Sequence, residues 1–126
     1  MGPKKTGIHR AWQINRRSRV RYKKGARIIK QGKDGGALYL IVEGAAAVVK
    51  DYKSDKAKTL AKIGPGAIFG EMSLLDGEPH AASVIALEDT ELSTMSQDEF
   101  DRVYEEMNPI MQGIIQLLLD RLRQSI

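Results

Sequence analysis

The sequence predicts a mainly β domain, because short strand-like segments separated by glycine turns fill most of its length and helical patterns occur only near the end. Its 126 residues suit one domain, since two domains of half that size would each be too small to bury a good core. The composition, with 42% hydrophobic and 29% charged residues, is ordinary for a globular protein. Many short strands spaced in this way are typical of a sandwich or a barrel.

Seven strands are predicted from alternating side-chain character and from the turns that bound them. In the first strand Val20 and Tyr22 alternate with basic residues, which predicts that one face is buried. Between residues 32 and 36 the chain has three glycines, which suit the positive φ angles of a tight loop. The predicted strands cover residues 19–23, 26–30, 38–42, 45–51, 59–63, 83–87 and 90–95.

Two helices are predicted after these strands. Ser96 and Glu99 have the spacing of a capping box, so the first helix is expected to begin there and to run to about Met107. Pro109 occupies a favoured first-turn position of the second helix. This second helix has a wide apolar face, of which part is expected to pack on the strands and part can pair with a second copy of the chain. The face consists of Ile110, Ile114, Leu118 and Leu122, flanked by Met111, Ile115 and Leu119.

The charge is distributed unevenly along the chain. Residues 1–33 hold 12 of the 20 basic residues and none of the 16 acidic ones, although the net charge of the whole chain is only +4. We therefore separate a basic N-terminal segment, residues 1–18, from a domain at residues 19–126. Such a segment can contact nucleic acid, an anionic membrane surface or an acidic partner. It can also dock on the acidic surface of its own chain, which we favour because the basic run lacks interleaved aromatic residues.

Several function classes are excluded by composition. The chain has no cysteine, and its two histidines, His9 and His80, are too few for a closed zinc site, so we expect no disulfide and no metal. Two pairs of acidic residues, Asp76 with Glu78 and Glu105 with Glu106, could suggest acid–base catalysis, but nothing in the sequence places a nucleophile or a metal beside them. We therefore expect neither an enzyme nor a cofactor. No apolar run approaches the roughly 20 residues that span a bilayer, and no signal peptide is evident. We expect a cytoplasmic protein without a transmembrane span.

The segment from Phe69 to Val84 has the composition of a phosphate cradle. Gly70 lets the backbone approach a ligand closely, and the free amides of Met72 and Ser73 would lie at the start of a short helix that binds an anion. Glu71 beside an anion makes sense if its carboxylate accepts hydrogen bonds from hydroxyl groups, as on a ribose. His80 can donate a hydrogen bond, or carry a positive charge when protonated.

These residues carry a resemblance to the cyclic nucleotide-binding domain family of bacterial regulators, kinase regulatory subunits and gated channels. Residues 69–84 resemble the phosphate-binding cassette of that family, and residues 28–35 with 39–44 are similar to its upstream glycine signature. Residues 119–123 are similar to its terminal helix, so the resemblance covers about residues 19–123. The chain departs from the pattern at His80, where the family has arginine, and at Lys33, where an acidic residue is usual.

The resemblance implies a fold and a set of roles. The fold is an antiparallel β-roll or jelly roll of about eight short strands with a cassette helix and C-terminal helices. Glu71 would hold the ribose 2′-hydroxyl, and His80 would take the place of the phosphate-pairing arginine. Ala81 stands where guanine-preferring members often have threonine, which favours cAMP over cGMP. The implied ligand-binding residues are Phe69, Gly70, Glu71, Met72, Ser73, His80, Ala81, Ala82, Leu60 and Ala47.

Three readings of function follow. The first is a small-molecule sensor that binds a cyclic nucleotide, with Phe69, Leu60 and Ala47 around base and sugar and with the final helix reporting occupancy. The second is a pocket for another ligand, such as a nucleoside or a small anion. The third is a ligand-free interaction or dimerisation module. Replacing arginine by histidine removes a fixed bidentate charge from the phosphate site, and this is the reason the alternatives stay open.

Overall fold

The computed structural model describes residues 18–124, and within this range it contains eight strands and three helices. Most of the elements are short, as the frequent turn residues of the sequence require. In chain order they are β1 (Arg19–Tyr22), β2 (Arg27–Ile29), β3 (Ala37–Glu43), β4 (Ala46–Lys50), β5 (Lys58–Ile63), β6 (Ile68–Phe69), α1 (Glu71–Asp76), β7 (Ser83–Ala86), β8 (Thr90–Ser96), α2 (Gln97–Glu105) and α3 (Pro109–Gln124).

The strands form two antiparallel sheets of four strands each. One sheet has the order β1-β8-β3-β6 and the other the order β2-β7-β4-β5. Consecutive strands β3 and β4 lie in different sheets, and the chain passes between them at Gly44, which has a φ of 105°. A Cβ at this position would lie 2.5 Å from Thr90 Oγ1, so only glycine fits. The predicted mainly β, jelly-roll-like architecture is confirmed.

The core lies between the two sheets. Ile41, Ala46 and Leu92 are at most 1% exposed, and they come from β3, β4 and β8. Removing this apolar surface from water is the main stabilising contribution to such a fold. Strand β5 lies at the edge of its sheet, and all of its residues except Ile63 are exposed.

All seven predicted strands are present, with ends that differ by at most one residue. The structure adds β6, which pairs Tyr39 with Phe69 and Leu40 with Ile68. Two residues are too few to show the alternation from which strands are predicted. The basic N-terminal segment lies outside the described residues except for Ser18, so the domain boundary stays a prediction.

The C-terminal helices begin where the capping residues predict. The Ser96 hydroxyl accepts a hydrogen bond from the Glu99 amide at 3.2 Å, and α2 follows it. The side chain of Asn108 accepts from the Ile110 amide at 2.8 Å in the first turn of α3. Leu119 in α3 is 3% exposed, whereas Ile110 is 73% exposed, so only part of the apolar face is covered. No helix in residues 18–124 is long and apolar enough to cross a membrane.

Candidate functional site

A cavity of about 280 Å³ lies beside α1, and residues of both sheets contribute to its wall. Nine of the ten sequence-predicted ligand residues line it, so the structure brings together segments that are up to 22 residues apart in the chain. These nine are Leu60, Phe69, Gly70, Glu71, Met72, Ser73, His80, Ala81 and Ala82.

Gly70 sets the direction of the chain at the start of α1. It has a φ of 84° and a ψ of −4°, the left-handed conformation that L side chains rarely adopt. A Cβ at Gly70 would lie 2.8 Å from the carbonyl oxygen of Ala37 and 3.3 Å from Ile29 Cδ1. The first helical hydrogen bond runs from the Leu74 amide to the Gly70 carbonyl. The amides of residues 71–73 therefore have no partner within the helix and are available at the cavity.

Glu71 is the acidic residue in the cavity wall. It is the first residue of α1 and is partly buried. Within residues 18–124 its carboxylate takes part in no ion pair and no side-chain hydrogen bond. Its oxygens can therefore accept hydrogen bonds from hydroxyl groups of a ligand.

His80 is held from its ring and from its backbone. Its Nδ1 atom lies 3.0 Å from the hydroxyl oxygen of Ser73, a side chain that is 5% exposed. The His80 amide donates to the Lys33 carbonyl at 3.0 Å, and the Gly32 amide donates to the His80 carbonyl at 2.9 Å. Burial lowers the pKa of the His80 ring below 6.5, so the ring is neutral at neutral pH.

The loop between β2 and β3 packs directly against α1. A Cβ placed on Gly35 would lie 2.5 Å from the Ser73 Cβ, so the loop backbone touches the helix at this point. The same loop supplies the two backbone hydrogen bonds to His80. One loop thus supports both partners of the Ser73–His80 hydrogen bond.

Leu60 reaches the cavity because the pairing of β4 with β5 is irregular. Val48 pairs with Ala61 and Val49 with Thr59, so Leu60 is an extra residue between two pairs. A β-bulge of this kind bends the strand and redirects a side chain. Leu60 lines the cavity while 50% of its surface is exposed, so it stands at the rim.

Ala47, which the resemblance places among the ligand residues, does not line this cavity in the structure. Side chains alternate along β4, and Ala47 packs with Val49 and Ile85 in an apolar cluster separate from the main core. Val48, on the opposite face of the strand, lines the cavity instead. The three consecutive alanines at residues 45–47 carry no alternation, so the sequence gives no signal for which face is which.

The remaining wall is apolar. Phe69 is 6% exposed and stacks on Tyr39 with ring centroids 5.1 Å apart and an angle of 16° between the planes. Sequence reasoning missed several aliphatic residues here, because the short strands that contain most of them show no regular alternation of apolar and polar residues. The missed residues are Ile29, Val48, Ile63, Ile68, Pro79 and Val84. An apolar wall that faces a few convergent polar groups is typical of a small-molecule site.

Metal-binding side chains do not converge here. In the described part of the chain there is no group of three or more histidine, cysteine or acidic side chains that could hold a metal ion. The polar groups of the cavity are instead one carboxylate, the first amides of α1, the Ser73 hydroxyl and the His80 ring. This set can pair with a sugar hydroxyl and a phosphate.

The sequence of the chain matches the family model of the cyclic nucleotide-binding domain over residues 19–107, which is more than half of the chain. The chain belongs to the cyclic nucleotide-binding domain family. The resemblance found in the cassette segment is thereby confirmed at the level of the family.

Curated proteins of the family include two kinds of relative. The chain is 36% identical over 104 residues to the cyclic AMP receptor protein of Thermus thermophilus. The aligned region covers 82% of this chain and 48% of that protein. It is 35% identical over 92 residues to the cAMP-dependent protein kinase regulatory subunit of Aspergillus fumigatus. This aligned region covers 73% of this chain and 22% of that protein. The chain thus spans about half of the first relative and less of the second.

Solved structures of the family share the fold. The cGMP-bound form of the EAL enzyme Bd1971 matches with a TM-score of 0.76 and 31% identity, over 85% of this chain and 28% of that one. The catabolite activator protein of Thermus thermophilus matches with a TM-score of 0.71 and 36% identity, over 85% of this chain and 50% of that one. Bd1971 is also described in a cAMP-bound form, with a TM-score of 0.75.

Proposed function

We propose that this domain is a small-molecule sensor that binds a cyclic nucleotide, with cAMP favoured over cGMP, in the cavity beside α1. The observation that carries the proposal is the convergence of nine of the ten predicted ligand residues on one cavity of about 280 Å³ in a chain of this family. In this proposal Glu71 accepts hydrogen bonds from the ribose, and the amides of Met72, Ser73 and Ala82 bind the cyclic phosphate. Phe69 and Leu60 contact the base and sugar.

The preference for cAMP rests on Ala81. This residue lines the cavity, and its methyl group offers no hydrogen-bonding group to a guanine base. The names of the Thermus and Aspergillus relatives refer to cAMP, which supports the same ligand class. The nucleotide itself brings the hydroxyl, phosphate and base that the cavity complements, so no separate cofactor enters the proposal. We propose a regulatory role rather than an enzymatic one, and a cytoplasmic location.

His80 is proposed to stand where other members of the family have arginine. It lines the cavity next to the α1 amides, as a phosphate-binding side chain must. A neutral ring makes fewer and weaker hydrogen bonds to phosphate than a guanidinium group. The proposal therefore includes an affinity lower than an arginine at this position would give.

Occupancy is proposed to be relayed through α3. The helix is anchored by the buried Leu119, while Ile114 and Leu118 are 44% and 52% exposed. The side chains of Gln112 and Gln116 also donate hydrogen bonds to Tyr104 of α2. A helix held by a few contacts, with part of its apolar face uncovered, can change its position when a neighbouring cavity is filled. The same face can pair with a second copy of the chain, so a homodimer is part of the proposal.

Calorimetric titration with cAMP and cGMP tests the proposal. We expect heat of binding with wild-type protein and an affinity for cAMP that falls roughly 10- to 100-fold in Glu71→Gln, because a charge-assisted hydrogen bond contributes about 1.5–3 kcal/mol. Glu43→Gln, an exposed residue at the end of β3, is the matched control and should bind like wild type. Absence of heat with either nucleotide near pH 6 and pH 8 would contradict the proposal.

A ligand-free interaction module is the alternative function, and the exposed face of α3 together with the neutral His80 favours it. A binder of a related nucleoside or anion is a further variant. The basic N-terminal segment can add an acidic partner, nucleic acid or membrane contact to any of these. Sedimentation with and without each nucleotide separates the readings: a dimer whose sedimentation changes with neither nucleotide would favour the interaction module.

A further inference from the structure

A second cavity, of about 350 Å³, lies next to the first one, and His80 and Ile29 belong to the walls of both. It is formed by the end of β2, the loop from residue 30 to residue 36 and the start of β3. The side chains that give it its chemistry are Lys30, Lys33, Asp34, Tyr39 and His80. This set differs from that of the first cavity in holding two lysines.

The second cavity has an excess of positive charge. Lys30 and Lys33 are exposed, and Asp34 is the one acidic residue among the described residues that line this cavity. Within residues 18–124 neither lysine forms an ion pair with a carboxylate, so neither charge is neutralised by a close partner. Burial, followed by the interaction and the side-chain hydrogen bond with Tyr22, raises the pKa of Tyr39 above its usual value, so this hydroxyl stays protonated and is engaged by Tyr22.

The loop that carries the lysines is fixed on two sides. Its backbone is hydrogen-bonded to His80 through Gly32 and Lys33, at 2.9 and 3.0 Å. The Lys33 amide also donates to the Lys30 carbonyl at 3.2 Å, so the two lysines are joined by a turn. The backbone of this loop is therefore already ordered before a ligand binds, which lowers the entropic cost of binding.

We propose that this second cavity is an anion-binding site, separate from the nucleotide cavity, which takes the phosphate group of a small metabolite between Lys30 and Lys33. The two lysines supply the positive charge of the site. The compact ammonium groups suit a phosphate approached from several directions. The site requires no cyclic nucleotide, so it goes beyond the function proposed for the first cavity.

Inorganic phosphate is the probe, added to the full chain at about pH 8 and at constant ionic strength balanced with sodium chloride, where His80 is neutral. The readout is the change in amide chemical shifts measured by NMR. We expect shifts in residues 30–37 that saturate, with an affinity about tenfold or more lower in Lys30→Ala/Lys33→Ala, because two charged contacts are lost. Lys56→Ala/Lys58→Ala removes the same charge from an exposed loop and strand end and should behave like wild type.

Three results would overturn the inference: no saturable shift, equal loss of affinity in the two double variants, or shifts confined to residues 71–73 and 82. The last result would mean that phosphate enters the nucleotide cavity. A cAMP titration of the same variants keeps the two proposals apart. Binding of cAMP without a phosphate response at residues 30–37 removes only this inference. A phosphate response without cAMP binding removes only the proposed function.

Discussion

Replacing His80 by arginine is expected to tighten cAMP binding. The ring nitrogen Nδ1 of His80 is already engaged by Ser73 at 3.0 Å, which leaves one nitrogen of a neutral ring for the phosphate. A neutral hydrogen bond contributes about 0.5–1.5 kcal/mol and a charged one about 1.5–3 kcal/mol. The difference of about 1–1.5 kcal/mol corresponds to an affinity gain of about tenfold in His80→Arg.

Calorimetry at neutral pH measures this gain, with His80→Gln as the control that keeps a polar but uncharged side chain. The wild-type affinity should also rise as the pH falls below 6.5, because protonation of His80 adds a charge, whereas the affinity of His80→Arg should not change in that range. The arginine variant can lose stability, since Ser73 is buried and loses a partner, so the melting temperature of each variant is recorded first. A folded His80→Arg protein with unchanged affinity would refute the placement of His80 at the phosphate.

Three further predictions concern stability and specificity. Gly44→Ala should lower the free energy of unfolding in urea by about 2 kcal/mol or more, because φ is positive and a Cβ at Gly44 would be too close to Thr90. Gly64→Ala is the control, since a Cβ at Gly64 would have no atom within 4 Å, and it should change the free energy of unfolding by less than about 1 kcal/mol. Equal effects of the two substitutions would contradict the packing argument. Because burial lowers the pKa of His80 in the folded protein, the stability of the wild type should fall as the pH drops from 6.5 through that pKa. In melting curves of His80→Gln the contribution of His80 to this loss of stability should be absent. Identical pH profiles of the two proteins would contradict the prediction. Ala81→Thr should raise cGMP affinity relative to cAMP in paired titrations, and an unchanged ratio would remove Ala81 as the basis of the preference.

The parts of the site that are local in sequence could be predicted, whereas the parts that depend on strand pairing could not. Residues 69–73 are consecutive, and a short helix after a glycine is a local arrangement that the sequence can indicate. The position of Leu60 depends on a bulge between β4 and β5, which is a property of strand pairing and not of either strand. Ala47 and Val48 could not be assigned to opposite faces because register is set by the neighbouring strands β7 and β5.

The contacts of His80 could not be predicted from the sequence either. Its hydrogen bond to Ser73 joins residues seven apart, and its contact with the loop of Lys33 joins residues that are far apart in the chain. His80 and Lys33 are therefore neighbours in space. Only the fold brings them together, because the chain from β3 to α1 lies between them in sequence.

The exposed edge at β5 has a consequence for self-association. An unpaired strand edge is a template for adding another strand, and proteins oppose this with charged side chains. Strand β5 carries Lys58 and Lys62 along its exposed length. Two copies approaching edge to edge would bring like charges together, which disfavours a continuous sheet across molecules. The lysines of β5 therefore act against the addition of a strand from a second copy at this edge of the sheet.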